Sequence, residues 1–469
     1  MSQRPHFDLW REACDGVREV RAYSKEERDA YFNTGRPIPP AFWFGKGQQQ
    51  FTTQKSIDAI YAIASDWRAA DPSLKKRIHE KATQHMAAQA FGECLAANYM
   101  ELWDDEKAAL AAFKVRLKEM VEASLRDADH YFPCRIVDSP EAPSFAVGPV
   151  RFLRRGEWLD HVAARAPDER AWTEAVKAHW ATGAELPELA PRHKMEAEDV
   201  IEVIADCQWI AVVHVKGNGL GRSEDRAKFA TRLALDALGL VMNAEQSRNL
   251  RGPGDVLEPR RTGKLSQFDN LGLNTSSHLD MAHLLAHPPH AQSFIDDTQE
   301  LRDAAGWAIG AMVEIPASDN MPVLRQQWCD ALHWFGDARR DPTGFNALVR
   351  YGICLDVLTG GGTADGIAEM FACFRGGKVD DALLTDGTSI KKVVQLIYNE
   401  GRSRISHGTR VALLNDLPFS LPTADQVALI ALERYLIYLR RYTGPDTVKD
   451  FLAAIPALVT TQKGLPPKG

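Results

Sequence analysis

Apolar residues recur at intervals of three and four along most of this chain, the spacing of helices that bury one face. In segments 56–69, 73–100 and 104–128 that spacing coincides with many Ala, Leu, Lys and Glu residues, which predicts a helical N-terminal region over 1–125. From about Tyr131 the period shortens. Residues 133–137 and 145–152 read as short strands bounded by Pro and Gly, and 208–216 is the clearest strand of the chain. Helical segments at 168–182 and 197–205 stand between them, so an α/β middle region is predicted over 126–275. Ser223 is expected to cap a helix running to about Leu240, and 244–275 reads as loops. Further on, segments 328–339, 344–358, 367–374, 390–398 and 425–442 again carry the helical period. Their short links, such as Asp341-Pro342-Thr343, imply antiparallel neighbours. The expected fold is multidomain: a C-terminal all-α bundle over 290–460, preceded by the α/β region and the helical N-terminal segment.

Length and composition agree with that division. A chain of 469 residues exceeds one ordinary core, and 45% hydrophobic with 25% charged residues is the balance of a soluble globular protein. No run approaches the length that crosses a bilayer, and the charged first residues do not resemble a secretory leader, so no membrane partner is expected. Seven scattered cysteines without a Cys-x-x-Cys pair suggest reduced thiols in a cytoplasm. They argue against a disulfide scaffold or a structural zinc site.

A net charge of −7 argues against a surface coated for nucleic acid. One stretch departs from it. Between 391 and 410, Lys391, Lys392, Arg402, Arg404 and Arg410 stand against Glu400 alone, a local excess of four positive charges that an RNA phosphate would feel. The same stretch holds Arg402-Ser403-Arg404-Ile405-Ser406-His407-Gly408. Arginine is always charged, and histidine titrates near neutral pH. Together they suit cleavage of a phosphodiester without metal: His407 moves protons, Arg402 donates to the phosphorane oxygens, and Ser403 orients the phosphate. Ile390, Val393, Val394 and Ile397 form the buried stripe of the helix leading to them, with Ser389 as its N-cap and Gly408 as its stop. On an ideal α-helix, residues 402 and 407 lie roughly 140° apart. A composite site built from two copies of the helix removes that difficulty.

The wording Arg-Ser-x-Ile-x-His-Gly, an Arg-x4-His pair followed by Gly, resembles the signature of HEPN endoribonucleases, and most of all their ApeA-like branch in bacterial anti-phage proteins. Gln327–Leu332, the pair Arg339-Arg340 read as a turn, and Ile353–Leu358 precede the motif in that family's order, and the likeness covers about 290–460. It implies an endoribonuclease that needs neither metal nor cofactor. Arg402, His407 and Ser403 would be catalytic, with Arg404, Lys391, Lys392 and Arg410 on the RNA, in a homodimer joined through the HEPN domain and serving phage defence. The competing expectation is a HEPN module that binds RNA or a partner without cutting.

Other candidates are weaker. His278, His283, His287 and His290 crowd thirteen residues, but the zinc-protease Glu is absent and Pro288-Pro289 follows at once. After strand 208–216, Gly217, Gly219 and Gly221 miss both phosphate-loop spacings and read as a tight turn. The tryptophans mostly fall on apolar stripes and are expected in the core.

Overall fold

The computed structural model describes residues 4–24, 26–27, 41–44, 48–97, 105–136, 142–205, 207–255, 260–266, 274–280, 288–314, 321–403 and 420–463. Most of these residues are helical, with small antiparallel sheets. By contact, the chain forms two compact units, one of residues 1–128 and 215–225, the other of 129–214 and 226–469.

In the first unit, α1 (His6–Arg21) is followed by a hairpin of β1 (Ala41–Phe44) and β2 (Gln48–Phe51), then α2 (Gln54–Ala69), α3 (Pro72–Arg77), α4 (Glu80–Ala97) and α5 (Glu106–Ser124). Segment 73–100, expected as one helix, is two. Ile78 between them is extended and 1% exposed, so its side chain fills the core at the cost of helical continuity. Trp10 meets Phe91 edge-on at 5.1 Å, and Phe42 lies 4.6 Å from the same ring, so an aromatic nucleus gathers three elements.

The second unit is built on a four-stranded sheet of order β3-β6-β5-β4, formed by β3 (Arg126–Cys134), β4 (Phe145–Val147), β5 (Val150–Arg154) and β6 (Trp209–Asn218). The β4–β5 hairpin pairs Val147 with Val150, and β5 runs antiparallel to β6 with Phe152 opposite Ala211. Helix α6 (Arg155–Arg165) supplies Trp158 and Leu159, α7 (Arg170–Thr182) Trp172 and Val176, and α8 (Pro191–Ile204) Ala197 and Ile204, which pack with Ile210 and Val212 of β6.

Helix α9 (Leu220–Gly239) starts straight after Gly219, whose carbonyl accepts from the Ser223 amide. Ser223 is therefore a buried residue inside the helix and not its cap. The stretch read as loops contains a short helix, α10 (Ala244–Arg248), and a hairpin of β7 (Arg260–Ser266) and β8 (Asn274–Asp280).

The elements described beyond β8 are helical: α11 (Pro288–Asp297), α12 (Gln299–Val313), α13 (Pro322–Arg340), α14 (Gly344–Leu358), α15 (Ala364–Arg375), α16 (Ile390–Gln395), a π-helical turn (Leu396–Ser403), α17 (Leu421–Leu439) and α18 (Val448–Lys463). Trp328, Phe335, Leu355, Phe371, Leu432 and Tyr435 are wholly buried among them. The Trp328 indole donates to the Leu432 carbonyl at 3.0 Å and so fixes α13 against α17. Arg339 and Arg340 occupy the last turn of α13 and not a turn beyond it.

Candidate active site

The Ser389 hydroxyl accepts from the Lys392 amide, which starts α16 as its cap. Ile390, Val393, Val394 and Ile397 are each at most 1% exposed, so the stripe read from the sequence is the buried face. The expected α-helix through Tyr398 stops at Gln395, however. From Leu396 the ladder widens to a π turn that ends at Ser403. Of residues 402–407, which the offset of roughly 140° spans, only Arg402 and Ser403 are described.

Two glycines explain how closely the turn approaches α14. A Cβ on Gly352 would lie 2.8 Å from the Arg402 Cβ, and one on Gly401 would lie 2.7 Å from the Leu348 Cγ. Both distances are shorter than carbon atoms tolerate, so only the bare backbone fits. Gly352→Ala should cost about 1–3 kcal/mol through overpacking. Thermal unfolding will register this as a melting temperature several degrees lower, and an unchanged melt would mean that α14 and the turn can part freely.

Arg402 is held on three sides. One terminal nitrogen lies 2.9 Å from the Asp356 Oδ2, the other donates to the Tyr398 hydroxyl at 2.8 Å, and the guanidinium stands 5.0 Å over the Tyr398 ring. Tyr398 donates in turn to the Gly362 carbonyl at 3.1 Å, which ties the link after α14 to the site. The Arg402 side chain remains 34% exposed. Burial pushes the Asp356 carboxyl above its ordinary range, opposed by the charge of Arg402 and by the Tyr398 hydroxyl. Among the described residues, its buried Oδ1 accepts no hydrogen bond.

Ser403 follows Arg402 on the same turn and is half-buried. Lys391 and Lys392 lie at the start of the helix, roughly 15 Å away along its axis; Lys391 pairs with Asp365 at 3.4 Å, and Lys392 is exposed. Arg404, His407 and Arg410 lie outside the described residues, as does the expected stop at Gly408.

Neither Asp356 nor Tyr398 is among the site residues named from the sequence. Tyr398 stands four positions before Arg402, a spacing that places neighbours on one helix face and was open to reading. Asp356 belongs to α14 and reaches Arg402 through packing alone, so no local signal marks it.

Of the histidines considered for a metal, His278 falls in β8 and His290 in α11, while His283 and His287 lie outside the described residues. A different group comes together elsewhere. Glu169, His193 and Glu196 place one ligand atom each within 4.8 Å of one another. Arg192 donates to Glu169 at 3.0 Å and to Glu196 at 2.8 Å, so a guanidinium already serves both carboxylates.

No family model, curated protein or solved structure matches the chain. Among the described residues, no helix is long and apolar enough to cross a membrane.

Proposed function

We propose that the chain is a metal-independent endoribonuclease of HEPN type that cleaves RNA by attack of the 2′-hydroxyl on the adjacent phosphate. Arg402 and His407 act as its catalytic pair, with Ser403 in support. The observation that carries this reading is the setting of Arg402 within the Arg-x4-His-Gly segment. Its guanidinium is aimed by Tyr398 and Asp356 and remains one-third exposed. Guanidinium has five N–H donors, so Arg402 can serve a phosphate with donors that Asp356 and Tyr398 leave free. Arg404, Arg410, Lys391 and Lys392 add attraction for RNA. Two copies of the chain, joined through the C-terminal helices, would bring two Arg402–His407 pairs to one cleft. The phage-defence role rests on the resemblance alone.

The second reading, a HEPN module that binds without cutting, draws on the same ion pair, because Asp356 spends part of the charge of Arg402 on the fold. Single-stranded RNA incubated with the purified protein in chelator separates the two. The first reading expects fragments with 2′,3′-cyclic phosphate ends and DNA left intact. Arg402→Lys keeps the charge but loses the planar fork, and should slow cleavage by about 10²- to 10³-fold; Arg404→Lys should do far less. Equal small effects of both changes on binding, with no cleavage by wild type, would favour the second reading, and loss of cleavage with chelator would defeat the first.

A further inference from the structure

Three adjacent strands of the four-stranded sheet each place one polar residue at the margin of the face that α6 crosses. They are Asp129 on β3, His214 on β6 and Arg151 on β5, and α6 adds His161 and Arg165 one turn apart. Along each strand the residue two positions away is apolar and packs under the helices: Tyr131, Val212 and Leu153. The polar group is therefore where the core of this face gives way to water. Asp129 is its centre, with a side chain only 8% exposed. His214 Nδ1 lies 2.7 Å from the Asp129 Oδ1, Arg165 Nε 2.6 Å from Oδ2, and His161 Nε2 3.9 Å from Oδ2. Arg151 approaches His161 Nε2 at 3.4 Å and, among the described residues, pairs with no carboxylate.

We propose that Arg151, His161, Arg165 and His214 form a binding site for the dianion of a phosphate monoester. The argument begins with charge. The group holds one carboxylate, two guanidiniums and two imidazoles, so it carries one net positive charge with both histidines neutral and up to three with both protonated. A structural ion pair needs one cation for one anion; here a second guanidinium is brought in against an imidazole. The donor set fits phosphate better than carboxylate. A carboxylate is satisfied by one guanidinium fork, whereas the three terminal oxygens of a monoester can accept from two forks and an imidazolium together. Asp129 serves as the positioning residue. Its carboxylate takes the Nδ1–H of His214, which fixes that ring's tautomer, and holds the Arg165 stem beside His161.

Protons provide the signature of such a site. His161 is faced by Asp129 and Tyr131 from β3, Arg151 from β5, His214 from β6 and Arg165 from its own helix. In the unliganded protein, burial and then Arg151 hold its pKa below the ordinary value, against the pull of Asp129. A bound dianion outweighs the single net positive charge and draws a proton onto the imidazole. Binding should therefore take up about one proton and tighten as pH falls. The site lies on the sheet and draws nothing from the Arg402 reading, so either can fail alone.

Calorimetry on the full chain with inorganic phosphate and with adenosine 5′-monophosphate tests this, in buffers of different ionisation heat at about pH 8 and about pH 6.5; the monoester is still largely dianionic at the lower pH and inorganic phosphate is not, so affinities and proton counts are referred to the dianion of each. The expected result is binding that strengthens at the lower pH with uptake of about one proton, and a His161 imidazole resonance that titrates at higher pH when ligand is present. Arg151→Gln should weaken binding by about tenfold or more; the side chain is exposed, so the fold should tolerate the change. Equal affinity for the two ligands would assign recognition to the phosphate group, and tighter binding of the nucleotide would add its nucleoside. Absence of binding, binding without proton uptake, or binding that survives both Arg151→Gln and His161→Gln would overturn the proposal.

Discussion

His407→Ala should lower RNA cleavage by about 10²- to 10⁴-fold, the usual contribution of a general acid or base, with the thermal melt unchanged. Transesterification removes a proton from the 2′-hydroxyl and delivers one to the departing 5′-oxygen. One Arg-x4-His segment has one histidine, so a single chain has no second group of suitable pKa in the motif. A two-fold dimer would supply it from the partner copy. Mixing therefore adds a sharper measurement than the single variant. When wild-type chain is diluted with a growing excess of His407→Ala chain and the dimers re-equilibrate, activity per wild-type chain should fall as homodimers disappear. Constant activity per wild-type chain would mean that each copy works alone. Full activity of the variant would remove His407 from the chemistry.

The largest effect on stability is expected at Arg339. Its side chain is 2% exposed and donates through Nε and one terminal nitrogen to the two oxygens of Asp425, each at 2.7 Å. The other terminal nitrogen donates to the carbonyls of Gly239 and Met242, and the Tyr351 hydroxyl donates to the Asp425 Oδ1 at 2.7 Å. One ion pair thus joins α13, α14, α17 and the link after α9. Arg339→Met removes the cation and leaves Asp425 buried beside a single hydroxyl, which should cost about 3–5 kcal/mol. Much of that cost is the stranded carboxylate, so Asp425→Leu added to Arg339→Met should recover part of it. Denaturant unfolding of wild type, both single variants and the double variant measures the coupling. A loss below about 1 kcal/mol for Arg339→Met would mean that water reaches the pair.

Legibility followed the range of the forces involved. Gly344–Leu358 was read to the residue because its apolar stripe and flanking turn residues are local. The Ser389 cap was read for the same reason, and strand 208–216 was placed within two residues of β6. The β7–β8 hairpin was missed because Arg-Arg-Thr-Gly-Lys-Leu-Ser opposite Asn-Thr-Ser-Ser-His-Leu-Asp has no alternation of apolar and polar residues. Helix α18 was missed because Pro456 lies inside it. The π turn and Asp356 have a common cause: both depend on how closely α14 approaches, and no periodicity within either segment records that. The sheet cluster was missed likewise, since Asp129, Arg151, His161 and His214 are scattered over 86 positions and meet only through strand order.

The π turn ties the place of Arg402 to a count of residues. Eight residues, Leu396–Ser403, run in the wider ladder, out of step with the α geometry that precedes them. Removing one residue upstream of Arg402 lets the ladder close into an ordinary α-helix with its backbone bonds still satisfied, so the deletion is absorbed without a break. Because the wider ladder takes up one residue more than an α-helix does, the later side chains keep roughly their places around the axis, and the guanidinium stays on the side of Asp356. A deletion of one codon in this turn is thus a change that a lineage can accept while the arginine keeps its place beside α14.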